Sequence, residues 1–64
     1  MQNEPEILRF FKWDHLPPRL QEVSEPFGRL AHQLVARTAP SAELDVALRK
    51  LLESKDAAVR AALS

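Results

Sequence analysis

From Leu16 to Leu63 apolar side chains return every three or four residues, except at the turn Thr38-Ala39-Pro40-Ser41 and where Lys55 interrupts the second run. That spacing is the pattern of an amphipathic helix, and no segment alternates as a half-buried strand requires. The first stripe is Leu16, Leu20, Val23, Phe27, Leu30, Ala31, Leu34 and Val35. The second is Leu44, Ala47, Leu48, Leu51, Leu52, Ala58, Val59, Ala62 and Leu63. Two helices of similar length joined by so short a connection fold back antiparallel. The chain therefore reads as a single all-α domain: a lead-in over 1–15, a helix over 16–38, and a helix over 41–63 that completes a two-helix hairpin.

Local chemistry sets the helix ends. Pro17 and Pro18 suit a first helical turn, where a missing N–H is no loss, and Asp14 is placed to cap that turn or favour its positive end. Pro40 pushes Ala39 out of the α region, Ser41 is a good N-cap, and Glu43 and Asp45 fall in the next turn. Asp56 and Arg60 form an i,i+4 pair in the favourable order. Pro26 is in conflict with its surroundings, because it removes the hydrogen bond to the Glu22 carbonyl and its ring crowds that turn. Either the helix bends around Pro26, or Ser24 caps a new helix with Pro26 in its first turn. The stripe crosses the proline without a change of phase, from Val23 to Phe27 to Leu30, and this favours one bent helix.

At 64 residues, such a chain nets only about 3–5 kcal/mol from one hydrophobic core. Disulfides, a structural metal or self-association normally add to that. There is no cysteine, and His15 and His32 lack HxxxH or HExxH spacing, so neither disulfides nor a metal site is expected. Self-association remains, and the small residues Ala57, Ala58, Ala61 and Ala62 mark the C-terminal half of the second helix as the expected subunit interface.

Nine basic residues balance nine acidic ones. Proteins that wrap long nucleic acid draw affinity from a basic excess, which is missing here. No apolar run approaches the ~20 residues of a membrane span, and MQNEPE is acidic where a secretory leader is basic. With no cysteine, the expectation is a cytoplasmic protein. Catalytic groupings are also missing: Ser24, Ser41, Ser54 and Ser64 have no nucleophile-elbow context, and one glycine cannot build a phosphate-binding loop. His15 neighbours Asp14, but adjacent side chains rarely point at one another, and His32 reads as a boundary histidine. The chain is expected to be neither an enzyme nor a holder of a cofactor.

The chemistry that remains is concentrated in the lead-in. Phe10, Phe11 and Trp13 are interleaved with Arg9, Lys12 and His15. Flat π-faces beside cationic donors suit a nucleotide, whose base stacks and whose phosphates pair; they equally suit closure of the hairpin's open end. In the binding version Trp13 stacks on a purine while Lys12, Arg9 or Arg19 reaches its phosphates, and Phe10 or Phe11 is left to the core. Lys55 interrupts the second stripe where an apolar residue is due, so it either snorkels to solvent or meets other subunits in a cationic pocket. Arg49 and Lys50 read first as a solvated face.

Two strings carry a resemblance. The first is Trp13-Asp14-His15-Leu16-Pro17, followed by Val23-Ser24 and Pro26-Phe27; the second is Ala47-Leu48-Arg49-Lys50-Leu51-Leu52-Glu53, then Lys55-Asp56-Ala57-Ala58-Val59-Arg60. Together they span roughly residues 11–63, and in this order they resemble the phage-encoded sponge proteins that counter CBASS and Thoeris bacterial immunity. The resemblance implies a compact homo-oligomer, a hexamer first and a dimer second. It would bind cyclic dinucleotides, trinucleotides or cyclic ADP-ribose isomers between subunits, without cleavage, in the host bacterial cytoplasm. It also implies an aromatic contact at Trp13, where the family pattern has tyrosine, and a cationic contact from Arg49, Lys50 or Lys55. Two other classes compete: an oligomeric interaction protein gripping a host or phage polypeptide, and, disfavoured by neutral charge, a small DNA-binding regulator.

Overall fold

The computed structural model describes residues 4–64; the first three residues of the acidic N-terminal segment lie outside the described residues. Helix accounts for 79% of the described residues and none of them is in a strand, so the chain is all-α. A 3₁₀ helix over Glu6–Phe11 is followed by α1 (Pro18–Arg37) and α2 (Ala42–Leu63), which pack on one another and on the 3₁₀ helix. No described helix is long and apolar enough to cross a membrane.

The first helix starts two residues later than expected. Leu16 precedes Pro17 and is disfavoured in the α region; its N–H closes a turn onto the Trp13 carbonyl at 3.1 Å. Pro17, at φ −55° and ψ 150°, is the N-cap, and no side chain caps the helix. The Asp14 carboxylate therefore does not take the capping role. Gln21 instead ties the helix to the preceding turn, donating from Nε2 to the Leu16 carbonyl at 2.7 Å and the Asp14 carbonyl at 3.4 Å. At the other end Thr38 is extended and α1 stops at Arg37, one residue short of expectation. Ser41 caps α2 as its chemistry suggests, with Oγ accepting from the Leu44 N–H at 3.0 Å.

Pro26 lies inside α1 and does not break it. Ser24 caps nothing: it is fully buried and its hydroxyl has no partner among the described residues. An i,i+4 pair, Glu25 with Arg29 at 2.6 Å, spans the turn across the proline.

The core is not centred on the apolar stripe of α1. Its buried residues are Ser24, Gly28 and Ala31, three small side chains in one line along the helix, whereas those of α2 are Leu44 and Leu48. The large groups that fill the space come from the 3₁₀ helix, Leu8 and Phe11, which join Ala31, Leu44 and Leu48 in one cluster. Burying one aromatic removes ~150–250 Å² from water, so the lead-in supplies a large share of a small core. Phe11 is the phenylalanine taken into it; Phe10 stays 53% exposed. Leu30, expected within the stripe, is 44% exposed, while Phe27, Leu34 and Val35 pack only partly against the cluster.

Candidate functional site

A 3₁₀ helix turns three residues per revolution, so side chains three apart eclipse and neighbours diverge. Leu8 and Phe11 consequently point together into the core, and Arg9, Phe10 and Lys12 are left around the rim. The chain then turns at Trp13–Leu16 and carries His15 to the same edge. Facing them from α2 are Lys55, Asp56 and Val59, and with Leu16 these residues enclose a cleft of about 240 Å³.

Three cations, a histidine and one carboxylate line this cleft together with Phe10. Two of the cations have internal partners. Arg9 Nη1 lies 2.9 Å from Glu6 Oε1, with its guanidinium carbon 5.2 Å from the Phe10 ring centroid. Lys55 Nζ lies 2.9 Å from Asp56 Oδ1, and its side chain is only 14% exposed. Asp56 thus turns to its chain neighbour and not to Arg60, the partner its spacing suggests. Lys55 shows what an interrupted stripe can do: its side chain is largely buried, yet it lines the cleft and its ammonium pairs with a carboxylate there. A cleft of this size falls below the roughly 300–1,000 Å³ that encloses a drug-sized ligand. It matches a phosphate or one edge of a nucleotide, and a larger ligand would extend beyond it.

Of the eight residues expected at a ligand, the fold gathers four here: Arg9, Lys12, His15 and Lys55. Trp13 lies elsewhere. Its indole stands on Gly28 of α1, and the Arg29 guanidinium carbon is 5.8 Å from its ring centroid. Arg19, Arg49 and Lys50 are exposed on the helices and do not line the cleft; Lys50 Nζ lies 3.8 Å from Glu53 Oε1. Nothing in the sequence marks Phe10, Leu16, Asp56 or Val59 individually as a ligand contact, yet all four line the cleft. Phe10 and Phe11 are adjacent and chemically identical, and only the 3₁₀ register separates core from cleft.

A second cleft of about 300 Å³ shares Arg9 and Lys12 and adds Glu4, Glu6 and His32. Its carboxylates make it the less favourable of the two for an anion. Among the described residues no group of three or more His, Asp or Glu is arranged to hold a metal ion. Comparison with protein-family models, with curated proteins and with solved structures finds no match to this chain.

Proposed function

We propose that this chain is a binding protein that sequesters a cyclic nucleotide messenger, a cyclic di- or trinucleotide or a cyclic ADP-ribose isomer, without cleaving it. The observation that carries the reading is the cleft that Arg9, Lys12, His15 and Lys55 line together with the exposed Phe10. Two phosphates need cationic donors and a purine needs a flat apolar face; this edge offers both. The resemblance to phage-encoded sponge proteins points to the same ligand class and to a setting in the bacterial cytoplasm during infection.

Phe10 is the aromatic group inside the cleft, so the stacking role expected of Trp13 is better given to Phe10. The small volume argues that a second copy of the chain completes the pocket, in a homo-oligomer for which the resemblance favours a hexamer over a dimer. Equal copies of a cationic edge suit a ring-shaped ligand with repeated phosphates. Binding alone serves a sponge, so a preorganised pocket with slow release suffices and no group need act on the ligand.

A thermal-shift panel of cyclic dinucleotides, cyclic trinucleotides and cyclic ADP-ribose isomers tests the proposal. A ligand at a hundredfold its Kd adds about 2.7 kcal/mol to the folded state, and each kcal/mol raises the melting temperature of a domain this small by about 4–8 °C. Phe10→Ala should abolish that shift while leaving the unliganded melt and the oligomer size near those of the parent. No shift with any member of the panel would favour the alternative, an oligomeric protein that grips a polypeptide through exposed Leu30, Val46 and Leu63.

A further inference from the structure

Gly28 is buried in the middle of α1, at a position where the helix itself has no need of glycine. Alanine would serve a helix interior better. What excludes it is the lead-in: a Cβ built on Gly28 would stand 2.7 Å from the Phe11 carbonyl oxygen and closer still to Cζ3 and Cε3 of Trp13. The single glycine of the chain is therefore the seat on which its single tryptophan rests. Arg29, next in sequence, spreads its guanidinium over the same indole while it pairs with Glu25.

We propose that Trp13 and Gly28 form a latch that fixes the lead-in on α1 and thereby sets Arg9, Phe10, Lys12 and His15 against Lys55. The residues of the cleft rim come from a segment held by Leu8 and Phe11 in the core, but between Phe11 and α1 it has few anchors besides Trp13. The 3₁₀ helix has no side-chain cap, and the turn at Trp13–Leu16 is held by one backbone bond and the Gln21 side chain. Phe11 sits on one side of Lys12 and Trp13 on the other, so their two contacts with Gly28 bracket Lys12, one of the cleft's cations. Trp13 is on this account a positioning residue; the latch stands on its own geometry, and only its use in ligand capture rests on the binding role proposed above.

The experiment compares the full-length protein with Gly28→Ala. Helix content by circular dichroism should hold or rise, since alanine is the better helix former. Trp13 emission should shift to longer wavelength and its quenching by acrylamide should increase. Acylation of Lys55, read by peptide mass spectrometry against exposed Lys50 in the same molecule, should become several-fold faster. Opposite movement of helix content and lead-in docking separates the latch from a general loss of stability, which would lower both. Trp13→Leu keeps Gly28 and removes the indole, and it should raise the Lys55-to-Lys50 ratio as well. Adding Trp13→Leu to Gly28→Ala should not restore the parent ratio, because the Phe11 carbonyl still meets the new Cβ. Parent-like Lys55 labelling in both single variants would overturn the proposal, as would an unchanged Trp13 signal in Gly28→Ala. Neither readout needs a nucleotide, so failure of the ligand panel sinks the binding role and leaves the latch to be judged by these results.

Discussion

The two sides of the hairpin are finished in different ways. On one side Leu8 and Phe11 of the lead-in cluster with Ala31 of α1 and Leu44 and Leu48 of α2, Ser24 and Gly28 share the line of Ala31, and all seven residues are buried. The opposite flank of α1, away from Gln21 and His32, carries Val23, Phe27, Leu30 and Leu34, and none of these is buried. The covered side uses small helix residues to admit a strap; the other uses large ones, of which Phe27 and Leu34 pack partly against the same core while Leu30 is exposed. The same helix thus carries a groove for its own chain and an apolar ridge beside it. The ridge is the more hydrophobic of the two and the less buried, so it is the surface on which the self-association proposed above can be tested.

Replacing Phe11 should break this comparison most severely. Its side chain is 1% exposed, and Phe→Ala at a buried site costs about 3–5 kcal/mol. That equals the whole net stability of about 3–5 kcal/mol available to a chain this small. Phe11→Ala should therefore lose its cooperative thermal transition by circular dichroism. A variant that still melts cooperatively near the parent temperature would mean that the hairpin stands without its strap.

Ser41→Ala, at the cap of α2, should cost about 1 kcal/mol and lower the melting temperature by several degrees. The hydroxyl accepts the Leu44 N–H at 3.0 Å, and alanine leaves that donor without a protein partner. This contact was legible from sequence because it is local: a proline-containing turn, a serine and a periodic apolar run name it without tertiary knowledge. The hairpin, its loop and the unbroken passage through Pro26 are legible for the same reason. What the sequence conceals is the line of burial on α1. Apolar spacing centres on Val23, Phe27, Leu30 and Leu34, but the line that meets the lead-in runs through Ser24, Gly28 and Ala31. Hydropathy ranks serine and glycine low, and only a neighbour arriving from outside the helix gives small size its value. The site divides along the same boundary. Lys55 announces itself by interrupting a stripe, whereas the split between Phe10 and Phe11 depends on a 3₁₀ register that no periodicity marks.

Ser24→Ala sharpens the covered side with the opposite sign. The hydroxyl is fully buried and without a partner. Removing it deletes an unsatisfied polar group and substitutes a better helix former, a gain of about 0.5–1 kcal/mol. A higher melting temperature is the expected result. A lower one would show that the hydroxyl is satisfied in solution, for instance by the Leu20 carbonyl one turn earlier.

The smallest effect on the fold itself belongs to Leu30→Lys, on the ridge. Leu30 is 44% exposed, and surface substitutions of this kind shift the stability of the isolated fold by no more than about 0.5 kcal/mol. Its effect on assembly should be large by comparison, since a lysine ammonium in a subunit contact must lose its hydration without a carboxylate opposite it. Sedimentation velocity on the parent should give a species well above the 7.3 kDa of one chain. Leu30→Lys should sediment as a helical monomer with most of its circular dichroism retained. If the variant keeps the parent's sedimentation coefficient, the ridge is solvent-facing in the oligomer and the contact must be sought at Ala57, Ala58, Ala61 and Ala62 of α2. If the parent is already a folded monomer at micromolar concentration, the strap alone suffices to hold the hairpin, and the cleft must bind whatever it binds without help from a second copy.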